Sequence, residues 1–266
     1  LGGAVSINAK AKIELNNSTA IIRESIEVDG ETVEIDLPVG PYVRVELLGT
    51  TPGDPASVTI AGLTLEGKFV FEQTQNGRGE TIVRVAMSDI SLGFGPVQVT
   101  NGQGFFVILP ARPDGTGGGL AGKLSATVTL DVPGVAIAGT FGVAINNTDQ
   151  VIDETIELDG ETINLNLVTG PYLRVTGIGV SIGIAGVTLT GDFGFEQATD
   201  PSLVAPNNKV TTIVANNVSL DIGSGVVEVF DGSGLFVIKP ANGAGTGGGL
   251  AGTLAVSVRI NAGDDI

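Results

Sequence analysis

At 266 residues with 42% apolar side chains, the chain carries enough material to bury a sizeable core. Its net charge of -16 excludes nucleic acid and anionic membrane surfaces as partners, because both require a basic face that displaces counterions. With no Cys and no His, disulfides, thiolate or imidazole catalysis and ordinary zinc sites are excluded as well.

The chain opens on an alternating arm, Ala4 to Asn17, followed by Asp29-Gly30-Glu31-Thr32, Gly40-Pro41-Tyr42 and Phe71-Glu72-Gln73. Each of these marks returns. Asp159-Gly160-Glu161-Thr162 and Gly170-Pro171-Tyr172 lie 130 residues on, and Phe195-Glu196-Gln197 lies 124 on, because the stretch LLGTTPGDPASV is shortened in the second copy. The shift of 130 is restored between Gly117–Gly122 and Gly247–Gly252. A repeat of this length, with its length change confined to a turn, marks a tandem architecture.

Between the repeat marks, Leu120 to Asn147 forms two long alternating arms joined at Pro133-Gly134. Val135, Ile137, Phe141, Val143 and Ile145 share one strand face, while Ala136, Ala138, Thr140, Gly142 and Ala144 share the other. Ala4 to Asn17 is the second arm of this hairpin without the first, and Leu250 to Ile266 is the first arm without the second. The complementary half-hairpins predict either pairing between successive molecules or a segment taken from a longer repeat chain. The assembly strands on the first reading carry Val5, Ile7, Ile13 and Leu15 at one end and Leu250, Leu254, Val256, Val258 and Ile260 at the other.

The period-two pattern continues through Thr155–Leu158, Thr162–Leu167, Tyr172–Val175, Val187–Phe195, Val218–Ile222 and Val226–Phe230, and no segment sustains helical spacing. Asp29-Gly30 and Asp159-Gly160 predict two-residue type I′ hairpin turns, and Pro133-Gly134 predicts a type II turn. The expected fold is all-β: two tandem antiparallel β-sandwich-like units forming an elongated rod, with a parallel β-solenoid as the runner-up. The boundaries are 1–119 for the first unit, 120–249 for the second and 250–266 for the first strand of a third.

Chemistry-bearing motifs are few. Gly117–Gly122 and Gly247–Gly252 match G-x-G-x-x-G, but a dinucleotide site needs a helix after the glycines and an alternating strand follows here. Gly117 to Lys123 resembles a P-loop but has Leu124 where a magnesium-binding hydroxyl belongs. Asp153 with Glu154, Asp200, and Asp264 with Asp265 are calcium candidates that lack the compact run of alternate oxygen ligands calcium prefers, so solvated charge is the simpler reading. Glu72 and Glu196 recur one per repeat, as structural positions do, and the aromatic platforms of sugar sites are sparse. These observations predict no enzyme and no cofactor. Asn16-Asn17-Ser18, Asn146-Asn147-Thr148 and Asn217-Val218-Ser219 fit a glycosylation sequon and read as loop-capping residues. The longest uncharged run, Val175 to Gly191, is broken by glycines and reads as strands; neither a membrane span nor the aromatic girdles of a membrane barrel is present in the pattern.

The segments VPGVAIAGTFGVAINNT, GPYLRV, VTLTGDFGFEQ and GTGGGLAG resemble the tandem repeats of very large secreted bacterial surface proteins, adhesin-like or sheath-like chains. That resemblance is one of repeat style over the whole chain. It implies an extracellular, cell-surface location and a structural role in a filament, sheath or array assembled head to tail, with no catalytic position to carry over. Ala9-Lys10-Ala11-Lys12 departs from Gly139-Thr140-Phe141-Gly142 of the intact arm. The alternative is an adhesive module for polysaccharide or a cell surface, with specificity in the loops Leu48 to Ser57 and Thr199 to Lys209, where the copies differ most in length.

Overall fold

The structure, a computed structural model, describes residues 5–51, 54–60, 63–112, 117–200, 202–203, 208–222, 225–241 and 246–260. Its regular elements are strands: β1 (Val5–Asn8), β2 (Lys10–Asn16), β3 (Ile22–Val28), β4 (Glu31–Leu37), β5 (Tyr42–Leu48), β6 (Ala56–Ile60), β7 (Leu63–Gln75), β8 (Thr81–Phe94) and β9 (Val97–Leu109). They continue with β10 (Gly119–Val132), β11 (Val135–Asn146), β12 (Ile152–Leu158), β13 (Glu161–Leu167), β14 (Tyr172–Ile184), β15 (Val187–Thr199), β16 (Lys209–Ile222), β17 (Val227–Lys239) and β18 (Gly249–Ile260). The large sheet follows the order β1-β6-β7-β8-β9-β10-β11-β14-β15-β16-β17-β18, with β5 paired to β7 and β2 to β5, and two hairpins, β3–β4 and β12–β13, form small sheets of their own. Each pairing whose register is resolved is antiparallel, as the hairpin turns require and as a parallel solenoid would not be.

The turn chemistry has the expected form. Asp29 and Gly30 adopt φ of 53° and 81°, and Asp159 and Gly160 adopt 51° and 79°, the paired positive values of a type I′ turn. Gly134 follows Pro133 with φ of 83°, which suits a type II turn. Of the glycine motifs, residues 119–122 and 249–252 are the first residues of β10 and β18, so these glycines belong to extended strands and not to a loop between strands.

Two features of the strands were not visible in the pattern. The uncharged run after Tyr172 is one long strand turned back by Ala185-Gly186 (φ 50° and 84°), so β14 and β15 are each 13 residues long. Bulges interrupt the long strands, with register shifts at Ala138/Thr140, Gly177/Val180, Thr190/Asp192 and Phe230/Ser233. Near them Asn217 and Asp231 take left-handed φ of 54°, which Asx side chains tolerate better than most.

In the first repeat the strand corresponding to β14 is divided. The strand ends at Leu48, Gly49 N donates to Asp54 O at 2.9 Å, and the pairing resumes at Ala56, so that β5 and β6 replace one continuous strand. Its neighbour divides with it: β1 pairs with β6, and β2 pairs with β5. Despite the lysines at positions 10 and 12, β2 keeps the register of the internal arm. Ile13↔Val45, Leu15↔Val43 and Asn16↔Tyr42 reproduce Val143↔Val175, Ile145↔Leu173 and Asn146↔Tyr172.

Contacts divide the chain into two compact units: Leu1–Ile90, Gln103–Gly122 and Thr148–Thr169 in one, and Ser91–Gly102, Lys123–Asn147 and Gly170–Ile266 in the other. The first has two layers. Hairpin β12–β13 packs over β7, and its Ile156, Leu158 and Leu165 are buried with Val70, Ile82, Ala86, Phe105 and Val107 of the sheet. In the second unit Tyr172 and Val180 are the buried large apolar side chains among the described residues, and its remaining apolar residues are half-buried or exposed. A sheet face becomes a core only where a second layer covers it.

Candidate functional site

The site lies in the first unit, where hairpin β12–β13 meets β5, β7 and β8. Period two places Tyr42, Arg44 and Glu46 on one face of β5, and the antiparallel register sets Arg44 opposite Glu72 and Glu46 opposite Val70. Charges alternate across this face. The Arg44 guanidinium lies 3.3 Å from Glu72, 3.6 Å from Glu46 and 3.9 Å from Glu14. Glu72 also accepts from Arg84 at 3.0 Å, and Arg84 pairs in turn with Glu154 of the hairpin. Such a chain is tolerated in a largely dry setting because every charge meets an opposite one, and removing one member strands the others.

The hairpin is held along its length by polar contacts. Arg44 donates to the main-chain oxygen of Glu157. At the turn, the Asp159 N–H donates to Glu46 Oε1 at 2.8 Å, and Lys68 Nζ lies 2.7 Å from Asp159 Oδ2 and 3.1 Å from Asp89 Oδ2. Hydrogen bonds to Asp159, then to Asp89, hold the Lys68 ammonium's pKa above the ordinary lysine value. The Tyr42 hydroxyl lies 3.3 Å from Glu14 and 3.4 Å from Glu72, and burial, followed by those two carboxylates, pushes the phenol up. A cleft of about 630 Å³ remains beside these groups, lined by Lys12, Glu14 and Leu48 as well as the paired charges.

The second unit carries a simpler version. Arg174 is again opposite Glu196 in register, with Nε to Oε2 at 2.7 Å, and its guanidinium lies 5.6 Å from the centroid of the Tyr172 ring. Burial raises the Tyr172 phenol against the opposing pull of Arg174. β8 and β16 have equal length, so Arg84 corresponds to Thr212; likewise, in β7 and β15, Lys68 corresponds to Asp192. Asp192 accepts from the Gly179 N–H and from Asn217, which in that order hold its carboxyl below the usual range.

The assembly residues read from the sequence lie on strands with open edges. Among the described residues β2 pairs with β5 alone and β18 with β17 alone, while β1 ends the order of the large sheet. Ile7, Ile13 and Leu15 are exposed at one end, and Leu250, Leu254, Val256, Val258 and Ile260 at the other. Val5 pairs with Ile60 in β1, and its side chain is outside the described residues. Val256 lies at the bulge between Phe230 and Ser233 and so interrupts the edge.

The calcium candidates are not brought together. Asp153 is exposed and opposite Asn166, whereas the adjacent Glu154 points to the other face of the strand and pairs with Arg84. Asp200 accepts from the Ser202 N–H and hydroxyl at 2.9 and 2.6 Å. Asp264 and Asp265 lie outside the described residues, among which no cluster of three or more acidic groups suits a metal. In the two loops proposed for adhesion, Pro52, Gly53, Pro201 and 204–207 also lie outside the described residues. Asn16 caps its loop: its buried amide donates to Ala20 O at 2.8 Å and Pro38 O at 2.6 Å, while Oδ1 accepts from Ser18.

Glu72 and the Gly-Pro-Tyr mark are legible in the sequence as repeats, but the ionic chain is not. The available signal was Tyr42, Arg44 and Glu46 on one face of a strand otherwise rich in Val and Leu, since polar groups at buried positions imply partners. Among the described residues no helix is long and apolar enough to cross a membrane. Comparison of the chain with family models, with curated proteins and with solved structures finds no match.

Proposed function

We propose that this chain is an extracellular structural repeat protein that assembles head to tail into a filament, sheath or surface array. The observation that supports the reading is the correspondence between its open edges and an internal pairing. β10 and β11 are neighbours in the sheet; β18 repeats β10 in sequence, and β1 with β2 repeats β11 in the same register against the strands behind it. An edge of one copy therefore offers the backbone pattern that the other edge of a second copy lacks. The tandem repeat and the resemblance to giant surface proteins agree with a role carried by architecture.

The test is assembly itself. Negative-stain electron microscopy and sedimentation of the purified chain should show linear species that grow with concentration. Placing lysines at Leu254 and Val258, both exposed on β18, should leave a folded monomer, because charges on an edge oppose strand addition. A wild-type chain that stays monomeric throughout would overturn the proposal, as would a lysine variant that assembles as wild type does.

A further inference from the structure

We propose that hairpin β3–β4 of one copy seats on the β14–β16 face of a second copy, centred on Arg174, as β12–β13 seats on β5–β8 within the chain. The inference rests on the head-to-tail reading and names the second contact of the joint. The hairpins match position by position with a shift of 130: Ile22, Ile26, Val28, Val33, Ile35 and Leu37 correspond to Ile152, Ile156, Leu158, Ile163, Leu165 and Leu167. Their environments are opposite. Ile156 is 3% exposed and Leu165 fully buried, whereas Ile26 is 63% and Ile35 47% exposed. An apolar stripe of this register, left in water, has a known seat in the same molecule.

The second face keeps the centre of that seat. Tyr172, Arg174 and Glu196 repeat Tyr42, Arg44 and Glu72, with the same cross-strand register of Arg to Glu. The Arg44 side chain is 11% exposed under its hairpin, whereas Arg174 is 48% exposed. An arriving hairpin offers Arg174 the main-chain oxygen of Glu27, the counterpart of the Glu157 oxygen that Arg44 holds. Charge favours the same match at the centre: β3, β4 and their turn carry Glu24, Glu27, Asp29, Glu31, Glu34 and Asp36 against the single cation Arg23. At the rim it opposes. Thr212 replaces Arg84 opposite Glu24, and Asp192 replaces Lys68 opposite Asp29. The contact between copies is therefore weaker than the internal one and depends on strand pairing to raise the local concentration of the hairpin.

Two measurements on the full chain test this. In the Glu24→Cys/Thr212→Cys variant, whose cysteines are the only two in the molecule, a short bis-maleimide should convert assemblies into a covalent ladder. Each single-cysteine variant should give none. The Ile26→Asp/Ile35→Asp variant, altered at exposed positions, should fold normally and assemble at least about tenfold more weakly, the effect of losing a modest apolar contact. If the wild-type chain assembles, yet no ladder forms and the aspartate variant assembles unchanged, the hairpin contact is overturned while the edge-pairing reading stands. A covalent dimer from Glu24→Cys alone would instead indicate hairpin against hairpin and would also overturn the assignment. Absence of any wild-type assembly removes both.

Discussion

Leu165→Ala and Ile35→Ala are chemically similar truncations at equivalent positions of the two hairpins, and the structure separates their costs. Leu165 is fully buried, so truncation loses the transfer energy of the removed methyl and methylene groups, about 0.8 kcal/mol for each, plus the penalty of the cavity left behind. The expected loss is about 3 to 4 kcal/mol, within the range seen for buried Leu→Ala changes. Ile35 is 47% exposed, so roughly half of its transfer energy is already absent and no enclosed cavity forms; about 1 kcal/mol is expected. Urea unfolding of monomer measures the difference. A Tyr172→Phe background leaves Tyr42 as the only tyrosine, with no Trp in the chain, so its emission reports on the first unit alone. Equal losses for the two truncations, or a loss below about 1 kcal/mol for Leu165→Ala, would refute the claim that β12–β13 supplies the second layer of that core.

The ionic chain makes a parallel contrast. Glu72→Gln leaves two largely buried guanidiniums short of a carboxylate and should cost about 3 kcal/mol in the same assay, while Glu196→Gln, in an exposed pair of the second unit, should cost about 0.5 kcal/mol when followed by Tyr172 emission in a Tyr42→Phe background. Gly40→Ala should destabilise by at least about 2 kcal/mol, because an added Cβ would lie 2.3 Å from Asn16 O and 2.6 Å from Ser18 O, both backbone atoms in a loop that Gly40 N itself closes; a neutral effect would refute that tight packing. Folding holds the Tyr42 and Tyr172 phenols protonated above their ordinary value, so the unfolded chain releases these protons first and stability falls as pH rises through about 10. Absorbance titration should find less tyrosinate at that pH in the native chain than in urea. Equal tyrosinate in the two states would contradict the burial of the phenols.

The sequence by itself determined the elements whose causes are local. Strands follow from alternation at neighbouring residues, and the hairpins follow from Asp29-Gly30, Asp159-Gly160 and Pro133-Gly134, where turn geometry depends on two adjacent φ angles. The repeat likewise fixed which segments would share a register, as β2 and β11 do. Long-strand bulges are not legible in the sequence because a left-handed Asn217 or Asp231 within a strand has no periodic signature. Tertiary structure alone decided which hairpin is buried. The β3–β4 and β12–β13 sequences are nearly interchangeable in pattern, yet one forms half of a core and the other projects its isoleucines into water. Burial is a property of what lies opposite, and here that is a face assembled from β5, β7 and β8 whose Arg44, Glu72 and Arg84 are brought together only by the fold.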